Sequence, residues 1–386
     1  MALAPVAGDP RFPWPEALRE AGRAAGAALA AEGAEGRLAL AVEAARRLSE
    51  MLRGIERWQT HPHVRALPEP PTLWSVGAAR LLDHAPCAPR GAPVVLVVPS
   101  LVNSPAVLDL HPRRSLLRAL AAAGLRPLLL DWGAPGPAER RFDLDAYHRA
   151  RLLPAARVAA ELNGGPAAAL GYCMGGAFAA ALAAQRPDLV SRLALIGAPW
   201  DFSRLEGPGR LLAALVRREG AEGLARALDA LGAAFGAAPT DLLQTLFAAL
   251  DPTLALRKFR AFARLDPAST TAEIFVAAED WLNDGPPLAV PAAKDIALGW
   301  YLENAPARGE WRLAGEPVRP ELIRRPTLAF CSASDRIAPP DAAEALPRAI
   351  PGARLLRPSA GHVGMIVGSA AAREVWAPLA AFLAER

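Results

Sequence analysis

A thiol flanked by glycines, in Gly171-Tyr172-Cys173-Met174-Gly175-Gly176, is the group in this chain with the plainest chemical use. A strand that turns sharply into a helix strains the residue at its apex, and side chains beside that residue would strike the crossing backbone, so glycines are needed there. At such a nucleophile elbow the sulfur sits at a helix N-terminus, whose partial positive charge favours thiolate. The Met174 N–H then points inward as one donor of an oxyanion hole. Taken alone, the six residues read equally as a buried cysteine in a glycine-rich packing turn.

Chain order separates the two readings. In the α/β-hydrolase arrangement the nucleophile precedes the acid and the acid precedes the histidine. Of His61, His63, His84, His111, His148 and His362, only His362 follows Cys173, and it lies in the glycine-flanked loop Ser359-Ala360-Gly361-His362-Val363-Gly364. Asp335 follows the apolar run Pro326–Cys331 in Ser334-Asp335-Arg336-Ile337, at a strand end where α/β sheets assemble their sites. Asp280 and Asp284 compete from an inserted region, and Asp341 begins a helix. The candidate constellation is therefore Cys173, Asp335 and His362. The loop Val98-Pro99-Ser100-Leu101-Val102-Asn103 should supply the second oxyanion donor, with Leu101 N–H the choice and Ser100 and Asn103 read as turn residues. Trp281 and Asn283, in Trp281-Leu282-Asn283-Asp284-Gly285-Pro286, are candidates for a turn that closes over substrate, although an aromatic anchoring the insertion fits Trp281 equally. His61-Pro62-His63 lacks further ligands nearby and reads as a helix-ending turn; no metal is expected.

The elements that must position these groups follow from periodicity. Residues 16–57 alternate Ala and Leu with Glu and Arg at helical spacing, predicting an N-terminal helical segment over 1–66. Strands are expected at Thr72–Val76, Ala79–Leu82, Pro93–Pro99, Arg126–Asp131, Ala167–Gly171, Arg192–Gly197, Pro326–Cys331 and Ala353–Arg357, with helices between them, including Asp145–Asn163 and Ala177–Gln185. That alternation predicts a mostly parallel sheet covered on both faces. From about Ser203 to Arg319 the pattern is helical and without clear strands. The expected organisation is thus a hydrolase core over 67–202 and 320–386, interrupted by a helical cap over 203–319.

The 386 residues, 52% of them hydrophobic, suffice for a large core. A net charge of +4 without clustered basic residues argues against nucleic acid as a partner. Cys87, Cys173 and Cys331 form no CxxC pair; Cys87 and Cys331 read as core residues, and a reducing cytoplasm is expected. The N-terminal residues lack a basic stretch followed by an apolar core, so secretion is not expected. Pro166–Gln185 carries no charge, but its Ala/Gly content and central CMGG read as strand, turn and helix, and no transmembrane span is expected.

These residues resemble the polyhydroxyalkanoate synthase family, whose lipase-like box carries Cys for Ser as Gly-x-Cys-x-Gly-Gly. The likeness extends to VPSLVNSPAVLDLHPRRSLLRALAAAGLRPLLLDWG before the box, APWDF after it, EDWLNDGPP in the insertion, and SASDRIAPP and SAGHVGM near the end. It covers about residues 67–380 and is nearest the short class III and IV enzymes. The resemblance implies an acyltransferase that polymerises 3-hydroxyacyl-CoA, such as 3-hydroxybutyryl-CoA, through an acyl-cysteine, with CoA as product and no further cofactor. It also implies a second synthase subunit and a homodimer as partners, and a polyester granule surface as a working location. The alternative on the same three residues is a thioesterase or polyester depolymerase.

Overall fold

The run Pro93–Pro99 carries Val or Leu at every interior position, so as a strand it must be covered on both faces. The computed structural model, which describes residues 16–205, 208–241, 244–245, 251 and 253–385, places it at the centre of an eight-stranded sheet. The strands are β1 (Thr72–Val76), β2 (Ala79–Asp83), β3 (Val94–Val98), β4 (Arg126–Asp131), β5 (Ala167–Tyr172), β6 (Val190–Ile196), β7 (Thr327–Phe330) and β8 (Arg354–Leu356). Their order is β1-β2-β4-β3-β5-β6-β7-β8. β2 runs antiparallel to β1 and β4, and every other neighbouring pair is parallel. This is the α/β-hydrolase architecture.

Alternate residues of each inner strand enter two separate cores. Val94, Leu96 and Val98 of β3 face one, while Val95 and Val97 face the other; Leu193 and Leu195 of β6 face the first, and Ala194 and Ile196 the second. Along the chain the longer helices are α1 (Glu16–Ala31), α2 (Ala34–Gln59), α3 (Leu116–Ala122), α4 (Leu153–Asn163), α5 (Met174–Gln185), α6 (Pro208–Phe235), α7 (Leu254–Phe262), α8 (Thr270–Asn283) and α9 (Ala377–Ala384). α4 and α5 cover the first face through alanines, among them Ala155, Ala159, Ala177 and Ala181, whose small side chains let the helices lie close to the sheet. α3 and α9 cover the second face with Leu116, Leu120, Leu379 and Phe382.

The N-terminal helices attach to the insertion. α2 crosses α7 so closely that a Cβ on Gly54 would overlap the Phe259 carbonyl, and Trp58 packs on the Phe259 ring at 5.7 Å between centroids. Nearer the start of α2, Leu38, Val42, Leu48 and Leu52 are exposed. Residues 1–15 of the expected N-terminal segment lie outside the described residues.

Some expectations are corrected. Between 203 and 319 there is a small ribbon, Arg312–Leu313 against Glu316–Pro317, and a bridge between Ala238 and Leu288. The ribbon turns through Ala314 and Gly315, both at positive φ (52° and 78°), where alanine stands in place of the Asn or Asp that usually announces such a turn. The helix expected over Asp145–Asn163 does form, running on from Leu144 through one wider π-helical turn at His148–Leu152. Cys331 is buried, but Cys87 is exposed, because it occupies a proline-rich turn between β2 and β3.

Candidate active site

Cys173 lies between β5 and α5 with φ 55° and ψ −132°, a conformation rarely adopted by residues other than glycine. Hydrogen bonds fix it there: its N–H donates to Ile196 O at 2.9 Å, and its carbonyl accepts from Gly176 N at 2.9 Å. The neighbouring glycines are required by contact. A Cβ on Gly175 would overlap the carbonyl oxygens of Val98 and Pro99, and one on Gly171 would overlap the Gly176 backbone. Cys173 is half-buried and touches both cores at the C-terminal edge of the sheet.

Asp335 and His362 come from the loops after β7 and β8. The Asp335 carboxylate is buried; Oδ1 accepts from Ile337 N at 2.9 Å and Ala338 N at 2.8 Å, leaving Oδ2 to accept from His362 Nδ1 at 2.7 Å. That bond places the neutral ring's proton on Nδ1 and turns Nε2 away from the acid. Nε2 is buried and has no partner in hydrogen-bond geometry, although the Cys173 sulfur is near enough to act on its charge. Burial works against protonation of His362, but the Asp335 carboxylate and a Cys173 thiolate outweigh it and push its pKa up to about 10. The three sequence-selected residues are thus gathered at one place.

Residues that the sequence did not single out complete the surroundings. Gly197, at φ 54° just past β6, leaves room for the imidazole: a Cβ there would stand 2.9 Å from His362 Cε1 and 3.0 Å from Nδ1. Tyr172 packs its ring against His362 at 5.2 Å, and burial together with the Cys173 and Asp335 charges holds its phenol well above the usual range. Tyr301, from the helical stretch Asp295–Leu302 in the insertion, is likewise raised by burial and by Cys173. The only signal for the tyrosines was their type, which serves cores as often as sites.

The oxyanion candidates lie on adjoining segments, since α5 begins against Val98 and Pro99 and Leu101 follows two residues later; both Leu101 and Met174 are buried in the first core. Among the described residues neither the Leu101 nor the Met174 N–H donates to a backbone carbonyl. Ser100 Oγ accepts from Val102 N at 3.0 Å, and Asn103 takes φ 67°, so both serve the turn. Trp281 is an anchor: buried, it donates from Nε1 to Ser104 O at 2.7 Å. The Asn283 side chain is exposed and donates one N–H to Glu279 O of its own helix at 2.7 Å. Of the competing acids, Asp280 accepts from Trp58 Nε1 at 2.8 Å and so joins α8 to α2. Beside Leu101 a pocket of about 380 Å³ opens between the loops after β3 and β4 and the turn Asp284–Pro287. Among the described residues no helix is long and apolar enough to cross a membrane.

A family model described as "alpha/beta hydrolase fold" matches residues 93–369. The chain is 31% identical over 309 residues to the poly(3-hydroxyalkanoate) polymerase subunit PhaC of Allochromatium vinosum, covering 79% of this chain and 84% of that one. It is 29% identical to the protein of the same description from Haloferax mediterranei, covering 76% of this chain but only 58% of the relative's length. A third such subunit, from a Synechocystis strain, is 29% identical over 76% of this chain and 78% of its own. The chain therefore belongs to the polyhydroxyalkanoate synthase (PhaC) family within the α/β-hydrolase superfamily.

Proposed function

We propose that the protein is an acyltransferase that polymerises 3-hydroxyacyl-CoA, with Cys173 as nucleophile, His362 as general base and acid, and Asp335 as the residue that orients and charges the histidine. The observation that carries this reading is a half-buried thiol at positive φ on a helix N-terminus, next to the unpartnered Nε2 of a histidine whose other nitrogen is held by a buried carboxylate. Family membership supplies the reaction class.

In the first half-reaction the Cys173 thiolate attacks the thioester carbonyl while the imidazolium holds the proton taken from the thiol. The Met174 and Leu101 amides receive the developing oxyanion. The C–S bond to CoA breaks and the leaving thiolate takes the proton from His362 Nε2. In the second half-reaction the hydroxyl of a growing chain, or of another 3-hydroxyacyl unit, attacks the acyl-cysteine. His362 removes the hydroxyl proton and returns it to the Cys173 sulfur as the ester forms. Thioester and acyl-cysteine lie close in energy, so loading and transfer can alternate without a cofactor. The substrate is taken to be a 3-hydroxyacyl thioester such as 3-hydroxybutyryl-CoA, acting in the cytoplasm at a polyester granule surface. The description of the relatives as polymerase subunits supports a second subunit as partner.

The test is purified protein with 3-hydroxybutyryl-CoA, with and without a granule-associated second subunit, following free CoA and product together. The expected result is CoA release with oligomer or polymer. Release matched one for one by free 3-hydroxybutyrate, with no oligomer even when the subunit is present, would replace this reading by the thioesterase one.

A further inference from the structure

The pocket beside Leu101 has a one-sided chemistry. Its walls are Leu101, Pro105, Trp132 and the prolines 286 and 287; its polar groups are Asn103, Ser104, Asp131 and Asp284, and among the described residues lining it there is no Lys or Arg. Asp131 is already paired with Arg80 at 3.0 Å, and Ser104 Oγ accepts from Ala106 N at 3.2 Å, so both are committed to the fold. Asp284 is exposed at the rim. Asn103 differs from the others. Its Oδ1 is buried without a partner, against Gly285, where a Cβ would come within 2.8 Å of it. A buried amide oxygen left without a donor is costly, so Oδ1 gains from a ligand that donates a hydrogen bond to it.

Charge decides which part of the substrate such a pocket accepts. The phosphates of CoA would meet no cation here and one exposed carboxylate, in a cleft whose apolar walls strengthen the repulsion. An uncharged ester chain would meet proline, leucine and indole surfaces, and its terminal hydroxyl is the group that can donate a hydrogen bond to Asn103 Oδ1. Resting on the reading above, we propose that this pocket holds the uncharged growing ester chain, with Asn103 as its polar contact, and that the CoA moiety is kept outside it.

The experiment separates loading from growth. Acylation of Cys173 is followed in a single turnover of 3-hydroxybutyryl-CoA by mass and CoA release, and elongation by product length in later turnovers. Ala134→Trp, on the exposed rim, is expected to lower elongation at least tenfold more than it lowers acylation. An equal loss in both, or one confined to acylation, overturns the assignment. Asp284→Lys adds a cation that an anionic ligand would use: a KM for the thioester that does not fall supports the proposal, and a fivefold or greater fall overturns it. Wild-type protein that forms no acyl-enzyme overturns both this inference and the polymerase reading, whereas normal acylation with unselective variants overturns this inference alone.

Discussion

The turn around Cys173 and the described part of the insertion over residues 203–319 are held in opposite ways. At the turn there is no room for side chains: a Cβ on Gly171 or Gly175 would overlap backbone, one on Gly176 would overlap the Ala198 methyl, and the alanines of β5 and α5 leave little to compress. Against the core the insertion is attached by larger side chains, single hydrogen bonds and the Arg336–Asp251 ion pair at 2.7 Å. Trp281 Nε1 reaches Ser104 O at 2.7 Å, Leu144 N donates to Asp295 Oδ2 at 3.0 Å, and Asn304 joins Phe202 N and Asp201 at 2.8 Å each. A close-packed backbone has one arrangement, whereas a surface joined by separable contacts can be opened a contact at a time. The turn that holds the thiol and the insertion are thus built from different materials.

The sharpest test of the fixed half is Cys173→Ala. Alanine fits the apex and the fold should survive, as judged by an unchanged circular dichroism spectrum and melting temperature, while acyl transfer falls by on the order of 10⁴ or more. Retained activity would remove Cys173 from the chemistry. Next comes Gly175→Ala, which forces a methyl onto the Val98 and Pro99 carbonyls and should destabilise the protein by about 3 kcal/mol, measured by denaturant unfolding. A near-neutral outcome would mean that the turn is looser than its contacts imply.

The histidine gives a third test. Its pKa is raised from an ordinary 6.5 to about 10, so the stability it contributes is fully present below about pH 6.5 and is lost as pH rises through about 10. Replacing Cys173 by Ala removes one of the charges that raise it, and the His362 titration seen by NMR should move to lower pH. An unmoved midpoint would sever the link between sulfur and ring. The smallest effect belongs to the insertion: Trp281→Phe loses one hydrogen bond, for about 1 kcal/mol, and should loosen α8 before the core, visible as faster amide exchange in α8. Equal exchange in core and insertion would erase the contrast between them.

The sequence could be read furthest where local rules are strict. β3 declared itself by unbroken Val and Leu, and the turn at Cys173 by glycines that no other residue can replace. Chain order brought out Asp335 and His362, which the fold sets 2.7 Å apart. Features that depend on distant partners were not legible. Nothing local tells that Trp281 hydrogen-bonds a carbonyl 177 residues earlier in the chain, so its two readings stayed level. Gly54 is an ordinary helix interruption until Phe259 is known to cross it, and Gly197 is an ordinary strand end until His362 is known to lie beside it. Ala314 hid its turn by lacking the residue type that turns favour, and Cys87 was misjudged because its type is usually buried.

The box around His362 also bears on time. With Tyr172 against the ring, the glycine at 197 leaving only enough room for it, and Asp335 holding Nδ1, the imidazole has its rotational freedom removed when the chain folds. A side chain free to sample rotamers would have to find the productive one again at every proton transfer. Chain growth as proposed needs at least two such transfers per added unit, so a ring settled once, at folding, spares that search throughout the life of a polymer.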